Sequence, residues 1–270
     1  MENTMKHANN VRKNIVKMVH NAKSGHPGGA LSAADLMTVL YFEESNITRD
    51  NVESFNRDRV VFSKGHASAL LYAELSEANL MDEDVLTYRL INSKLQGHPN
   101  MNYLAGVDMS TGSLGQGISA SVGMALANKL SKNDNRVYVL LGDGECEEGQ
   151  VWEAAMAAAH YKLDNLCVIL DFNGLQIDGD IHKVMNPTPL DEKFEAFGFN
   201  VIKIDGHNYD EIRAAYKAAR ECKGKPTLIL AKTIKGKGVS FMENNPAWHG
   251  TAPNDADLAQ ALEELDRGDK

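Results

Sequence analysis

The chain has 270 residues, 43% of them hydrophobic, and a formal net charge of −9. A chain of this length buries about 75% of the surface that its unfolded form exposes, so it can build a core without disulfide bonds. Because basic and acidic residues are interspersed and not gathered in blocks, the charge argues against nucleic acid or an anionic membrane as the main partner.

Short apolar runs alternate with longer stretches of helical periodicity along the chain. In chain order the predictions are a helix over 1–20, a helix over 32–43, a strand over 59–62, a helix over 116–130, strands over 136–141, 165–170 and 199–204, a helix over 208–222 and a strand over 226–233. The second helix opens with Ser32 and has Asp35 three residues later, which is close to a capping box.

The predicted strands are continuous apolar runs, as expected for strands buried on both faces of a parallel sheet. The sequence therefore predicts an α/β fold in the doubly wound style, mostly parallel with helices on both faces, in which ligands bind outside the carboxyl ends of the strands. Without an internal repeat or a low-complexity linker, we expect residues 1–270 to form a single domain. The acidic, polar residues 251–270 predict a terminal helix or a loosely held tail.

Three cysteines share no metal-ligand spacing, which indicates reduced thiols. The first residues lack the apolar run of a signal peptide, and no later stretch approaches the roughly 18 apolar residues of a membrane span. We therefore expect a cytoplasmic protein.

The strand over 136–141 delivers Gly142, Asp143 and Gly144 to the carboxyl edge of the sheet. Glycines let a ligand approach the backbone, and the carboxylate is a hard oxygen donor. A dinucleotide fingerprint is excluded because Glu147 stands where a glycine is needed, and a phosphate-binding loop is excluded because Gly-Lys-Ser/Thr occurs nowhere.

Asn173 follows the next strand, and a right-handed crossover would set it near Asp143. Mg²⁺ prefers six oxygen ligands, usually shared between protein, phosphate and water. Asp143, Asn173 and the carbonyl of Leu175 could supply three of them, and a diphosphate two more.

The stretch "GDGECEEG", followed by "DFNGLQIDG", resembles the thiamine diphosphate motif of transketolases. Further segments match that family in its order: "AKSGHPGGALSAADL", "FSKGHASALLYAEL", "GHPN", "MSTGSLGQGISASVGMALA" and "WHGTAPN". The resemblance covers nearly the whole chain and implies the diphosphate-binding domain of a thiamine diphosphate fold. It also implies Mg²⁺, or Ca²⁺ or Mn²⁺ in its place, on Asp143, Asn173 and Leu175.

The same resemblance implies roles for further residues. His66, Gly144 and His249 would contact the diphosphate, and Gly112, Leu114 and Ile177 would line the thiazolium side. Ser113, Gly142 and Glu148 complete the expected cofactor contacts. His26, His98 and His249 would be catalytic: His26 and His98 would bind the sugar hydroxyls, and His26 and His249 would transfer protons.

Several residues carry more than one interpretation. Each turn histidine taken alone is more often structural, and the resemblance reverses this for His26, His66, His98 and His249, while His207 is expected to be structural. Glu148 and Glu153 face either a dimer interface or solvent. Lys235 and Lys237 could steer phosphorylated substrates, although most exposed lysines have no such role.

In transketolases a second module binds the aminopyrimidine ring and supplies an activating glutamate, and this chain ends before it. We therefore expect the amino-terminal subunit of a split transketolase, which forms an α2β2 assembly with a carboxy-terminal, pyrimidine-binding subunit. The pair would move a two-carbon glycolaldehyde unit from a ketose phosphate to an aldose phosphate, as in the pentose phosphate pathway.

Three alternatives remain at this point. A split relative could act on a sulfonated or branched sugar, because the sugar-anion contacts would lie in the absent half. A deoxyxylulose phosphate synthase or the α chain of a 2-oxo acid dehydrogenase is disfavoured by the two "GHP" segments and "STGSLGQG". An inactive regulatory paralogue is disfavoured because Asp143, Asn173 and the four histidines are intact.

Overall fold

The computed structural model describes residues 2–268 and contains a parallel sheet of five strands in the order β1-β2-β3-β7-β6. The sheet strands are β1 (Arg59–Phe62), β2 (Val137–Gly142), β3 (Leu166–Phe172), β6 (Asn200–Asp205) and β7 (Thr227–Lys232). A separate antiparallel pair is formed by β4 (Leu175–Gln176) and β5 (Gly179–Asp180).

Helices cover both faces of this sheet. They are α1 (Glu2–Ala22), α2 (Pro27–Ser32), α3 (Ala34–Val39), α4 (Ser68–Glu77), α5 (Gln116–Leu130), α6 (Gly149–His160), α7 (Ile181–Val184), α8 (Leu190–Ala196), α9 (Tyr209–Glu221) and α10 (Asp255–Arg267). Among the residues that the structure describes, no helix has the length and apolar character needed to cross a membrane.

Alternate residues of each central strand pack into two separate cores. Leu140 and Ile169 face the layer of α1, α3, α4 and α9, whereas Val139 and Val168 face α5, α6 and α8. All four side chains are fully buried. Because both faces of the sheet are covered, the central strands β2 and β3 are apolar at nearly every position, and the predicted α/β class with helices on both faces is confirmed.

The predicted strands match the observed ones to within two residues at each end, and α5 matches its prediction. The single helix predicted over 32–43 is wrong, because it is interrupted at Ala33 and followed by a π-helical turn, Leu40–Glu44. The capping-box prediction is also wrong. Ser32 ends α2 and donates its hydroxyl to Asp171, and Asp35 pairs with Arg12.

The end of the chain is a helix docked on α1. A capping box formed by Asn254 and Asp257 begins α10, and Ala261 and Leu265 bury its apolar face. Lys13 of α1 lies 2.7 Å from Asp266. Residue 1 of the predicted first helix and residues 269–270 of the predicted tail lie outside the described residues.

Candidate functional site

Polar groups from four strands meet at the carboxyl edge of the sheet, because parallel strands all end on that side. They surround a cavity of about 370 Å³. The sequence-predicted residues that line it are His26, His66, Gly112, Leu114, Gly142, Asp143, Gly144, Glu148, Asn173, Leu175, Ile177 and His249. A ligand of tens of atoms fits such a volume.

Two of the predicted residues are not part of the wall. Ser113 is exposed. His98 stands directly behind Gly112, whose φ is +149° and where an added Cβ would come within 2.9 Å of the His98 ring. Only glycine tolerates that approach, so Gly112 brings the imidazole of His98 close to the cavity.

Asp143 is a buried acid of the cavity wall. Its two carboxylate oxygens accept hydrogen bonds from the backbone N–H groups of Gly144 (2.8 Å) and Gly174 (2.5 Å). Burial, reinforced by the negative charge of Asp171, raises the pKa of Asp143 to about 6. Within residues 2–268 no basic side chain pairs with this carboxylate directly, so it is a buried anion that a cation would stabilise.

The next turn of chain brings two further oxygens to the same place. The Oδ1 atom of Asn173 accepts the N–H of Leu175 at 3.1 Å, and the carbonyl of Leu175 accepts from Lys235 Nζ at 2.9 Å. Each of these oxygens keeps a second lone pair. Together with Asp143 they form a set of hard oxygen donors around the Asn173–Leu175 turn.

A buried ion pair supports this turn from beneath. Asp171 accepts hydrogen bonds from Lys64, Ser32, Thr233 and Asn173. Burial raises the pKa of Asp171, but the Lys64 charge and the hydroxyl donors outweigh burial and hold it below its usual value. Asn173 is therefore oriented through its amide group, with its Oδ1 atom turned the other way.

Glu145 joins the loops that frame the cavity. It accepts hydrogen bonds from the hydroxyl of Ser63, from the N–H of Gly115 at 2.9 Å and from the N–H of Gly142 at 3.1 Å. Burial raises its pKa. This one carboxyl group thus ties β1, the loop before α5 and the end of β2 together.

Three imidazoles form a cluster in the cavity wall. The ring centroid of His26 lies 5.3 Å from that of His66 and 5.4 Å from that of His249, and those two rings stack at 5.3 Å. Burial, followed by the Arg89 charge, lowers the pKa of His26 to about 4. Burial, followed by the Lys235 charge, lowers that of His249 to about 3. At neutral pH these imidazoles are uncharged.

The remaining histidines and lysines differ in whether they lie at the cavity. Burial lowers the pKa of His98, and the positive charge of Arg89 lowers it further. His207 lies outside the cavity and bridges Asp35 and the N–H of Ile234, which agrees with a structural role. Lys235 is buried in the cavity wall, where burial lowers its pKa to about 8. Lys237 is half-exposed and faces Glu243.

Lys64, Asp171 and Glu145 contribute to the site without having been singled out from the sequence. A signal was present, because each is a charged residue within an apolar strand or no more than three residues after one. Glu145 accepts from Ser63, 82 residues away along the chain, and Asp171 accepts from Ser32, 139 residues away. No local sequence pattern could have predicted these pairs.

No three His, Cys, Asp or Glu side chains converge to hold a metal by themselves in the part of the chain that the structure describes. The carboxylate of Asp143, the amide oxygen of Asn173 and the carbonyl of Leu175 supply three oxygens, so a six-coordinate metal ion would need further oxygens from a ligand or from water. The raised pKa of Asp143 and its lack of a basic partner fit a cation held jointly with an anionic ligand.

Comparison with known proteins identifies the relatives of this chain. The family model described as "Transketolase, thiamine diphosphate binding domain" matches residues 3–267. The 6-deoxy-6-sulfo-D-fructose transketolase subunit of Clostridium sp. (strain MSTE9) is 42% identical, over 96% of this chain and 95% of its own length. An apulose-4-phosphate transketolase subunit of Phocaeicola vulgatus is 40% identical, over 94% and 90%.

Longer relatives share only part of their length with it. Human transketolase is 43% identical over 90% of this chain but 39% of its own. The crystal structure of transketolase from Campylobacter jejuni superposes with a TM-score of 0.92 at 38% identity, covering 98% of this chain and 43% of that one. The chain thus spans nearly all of the relatives named as subunits and about two fifths of the longer enzymes.

Proposed function

The chain belongs to the transketolase family, within its thiamine diphosphate binding domain, and we propose that it is the amino-terminal subunit of a two-subunit transketolase. The pair transfers a two-carbon ketol (glycolaldehyde) unit from a ketose phosphate to an aldose phosphate. One observation carries the proposal: oxygen donors suited to a metal-bound diphosphate and the imidazoles of His26 and His249 line one cavity at the carboxyl edge of the sheet.

The metal end of the cofactor is assigned to the β2 and β3 loops. Asp143, Asn173 Oδ1 and the Leu175 carbonyl would hold Mg²⁺, or Ca²⁺ or Mn²⁺ in its place, together with diphosphate oxygens. The buried and unpaired carboxylate of Asp143 supports this assignment, because a divalent cation relieves the cost of its charge.

The diphosphate and the thiazolium ring are assigned to the surrounding wall. His66 would donate a hydrogen bond to the diphosphate, and Gly144 and His249 would contact it. The thiazolium ring would lie against Gly112, Leu114 and Ile177, and Ser113, Gly142 and Glu148 are the further contacts that we assign. Bound thiamine diphosphate would supply the carbanion-stabilising chemistry that side chains lack.

The chain's own catalytic groups are imidazoles. We assign His26 and His98 to the hydroxyls of the donor sugar and His26 and His249 to proton movement at the oxygens of the reacting carbons. Their lowered pKa values support this, since a neutral imidazole carries one N–H donor and one acceptor nitrogen at neutral pH.

We assign the aminopyrimidine side of the cofactor to a separate carboxy-terminal subunit, in an α2β2 assembly in the cytoplasm. Support comes from the relatives of the same length, whose names call them subunits. Sugar phosphates of the pentose phosphate pathway are the first substrates to test.

A second candidate changes only the sugar. Two relatives with 40% or greater identity are named for 6-deoxy-6-sulfo-D-fructose and for apulose 4-phosphate, a sulfonated and a branched sugar. The cavity does not discriminate among them, because its wall contains the groups for the cofactor and the reacting carbons.

Reconstitution tests the proposal. The purified chain is expected to show no ketol transfer, and mixing it with the partner subunit, Mg²⁺ and thiamine diphosphate should give activity in a coupled assay. Ordinary ketose phosphates, sulfonated ketoses and branched ketoses are compared as donors. Full activity of the chain alone would refute the split arrangement, and a pair that binds cofactor but transfers nothing would favour an inactive regulatory paralogue.

A further inference from the structure

Lys235 occupies an unusual place for a lysine. Its side chain is 2% exposed, and its ammonium nitrogen lies 2.8 Å from Nδ1 of His249 and 2.9 Å from the carbonyl oxygen of Leu175. Burial of an ammonium group costs free energy, so hydrogen bonds and packing must hold the group in this position.

The backbone around Lys235 is held on three sides. The N–H of Ile234 donates to Nε2 of His207 at 2.9 Å, and the N–H of Gly236 donates to the carbonyl of Gly28 at 3.0 Å. The carbonyl of Lys235 accepts the N–H of Asn244 at 2.9 Å. The Cα of Lys235 therefore has little freedom to move.

The stem of the side chain is packed as closely as its backbone. A Cβ added to Gly28 would meet two stem carbons of Lys235, Cγ and Cε, at 3.2 Å. The glycine thus leaves room for the stem and for nothing larger, and the ammonium is directed to the His249 ring by packing as well as by hydrogen bonding.

The chemistry of the contact settles which nitrogen carries the proton. An ammonium donates three hydrogen bonds and accepts none, so Nδ1 of His249 must be the acceptor. His249 is neutral, and a neutral imidazole with an accepting Nδ1 carries its proton on Nε2. No group among residues 2–268 is hydrogen-bonded to Nε2, and the ring lines the cavity.

We propose that Lys235 is a positioning residue that locks His249 in its Nε2–H tautomer, so that His249 offers the cavity a hydrogen-bond donor. Arg89 is placed similarly behind His26, with Nη2 3.5 Å from Nδ1 and, as a guanidinium, no capacity to accept. The guanidinium thus favours an accepting Nδ1 on His26 as well.

The consequence for catalysis rests on the proposed function. A donor at Nε2 stabilises an oxygen that gains negative charge as carbon bonds form or break, and it gives up a proton before it can take one. His249 thus begins the reaction as a proton donor in the proton transfers that the sequence predicts for His26 and His249. The tautomer itself is a property of the chain without cofactor, partner or substrate.

Histidine ¹⁵N NMR of the full chain tests the tautomer directly. The two ring nitrogens of His249, assigned from the signals lost in His249→Gln, should have widely separated shifts, with Nδ1 in the unprotonated range near neutral pH. Lys235→Met, which keeps the stem and removes the donors, should move the two shifts toward each other because both tautomers become populated. Lys235→Arg, which restores a donor, should keep them apart.

Lys237→Met is the matched control, since Lys237 Nζ faces Glu243 at 3.6 Å and should leave the His249 shifts in place. A pH series separates tautomer exchange from protonation, and circular dichroism checks the fold of each variant. A protonated Nδ1 in the unsubstituted chain, or an unchanged separation in a folded Lys235→Met, would overturn the proposal. Either result would leave the reconstitution experiment unaffected.

Discussion

Asp143 combines burial with a requirement for negative charge. Its side chain is 2% exposed, and its pKa is raised from 3.8 to about 6 because burial penalises the carboxylate. A raised folded pKa means that the folded state binds the proton more tightly than the unfolded chain does. The contribution of Asp143 to stability is therefore full below about pH 4 and is lost as the pH rises through about 6, by about 3 kcal/mol at most.

We predict that Asp143→Asn lowers the affinity for Mg²⁺ and thiamine diphosphate at least about tenfold, because the amide has lost the charge that the metal needs. Without ligands, the stability of the variant relative to the unsubstituted chain should shift in the variant's favour as the pH rises from 4 to 7. Titration calorimetry measures the first effect, and chemical denaturation at several pH values measures the second.

Asp178→Asn is the control for both measurements. Asp178 is exposed at the turn between β4 and β5, so its substitution should leave cofactor affinity and the pH dependence of stability unchanged. An Asp143→Asn chain that binds cofactor with unreduced affinity would count against the metal assignment.

The sequence predicts the site residues whose role follows from their position after a strand. It does not predict those whose role depends on a partner far away along the chain. Asp143 and Asn173 each follow an apolar strand, and that placement predicts a shared edge. Lys64 and Asp171 also follow or end strands, but their meaning depends on a pairing across 107 residues of chain. The sequence alone suggests a substrate-steering role for Lys235, whereas its contact with His249 depends on packing against Gly28.

At the level of elements, strands were easier to predict than helix ends. A strand buried on both faces is apolar throughout, so its sequence is a continuous run. The helix predicted over 32–43 failed because Ser32 and Asp35 carry tertiary bonds to Asp171 and Arg12, which replaced the local capping pattern. In the observed arrangement Gly29 of α2 lines the cavity, and Gly28 packs against the Lys235 stem.

The junction between α2 and the turn Pro246–His249 provides a test of this close packing. A Cβ on Gly28 would lie 2.9 Å from the carbonyl oxygen of Trp248 and 3.2 Å from the Lys235 stem. Gly28→Ala should therefore force the two elements apart, at a cost of about 1–3 kcal/mol of unfolding free energy. Denaturant unfolding measures the cost, and a shift of the His249 ring signals reports the displacement.

Gly123→Ala gives the matched comparison. Gly123 lies inside α5 with nothing within 4 Å of an added Cβ, so alanine should raise stability by about 0.5–1 kcal/mol through its better helix propensity. Equal effects of the two substitutions would show that α2 and the turn are more loosely packed than the structure indicates.

At the scale of the whole molecule, the cavity is built by residues at the carboxyl edge of the sheet. The groups that we assign to the diphosphate and metal come from β1, β2, β3 and β7 and the loops that follow them. The chain covers about two fifths of the longer transketolases, which leaves the aminopyrimidine end of the cofactor to the partner in our proposal. Binding of the cofactor and assembly of the two subunits are then linked equilibria.

We predict that thiamine diphosphate, at fixed Mg²⁺, binds the isolated chain at least about tenfold more weakly than it binds the pair with the carboxy-terminal subunit. By linkage, saturating cofactor must tighten the binding between the two subunits by the same factor, because the free energy around the binding cycle is zero. Calorimetry of cofactor binding with and without the partner measures one leg, and binding of the partner with and without cofactor measures the other. The Asp143→Asn chain should bind the cofactor more weakly both alone and in the pair, and equal cofactor affinity of the unsubstituted chain alone and in the pair would mean that this chain holds the whole coenzyme alone.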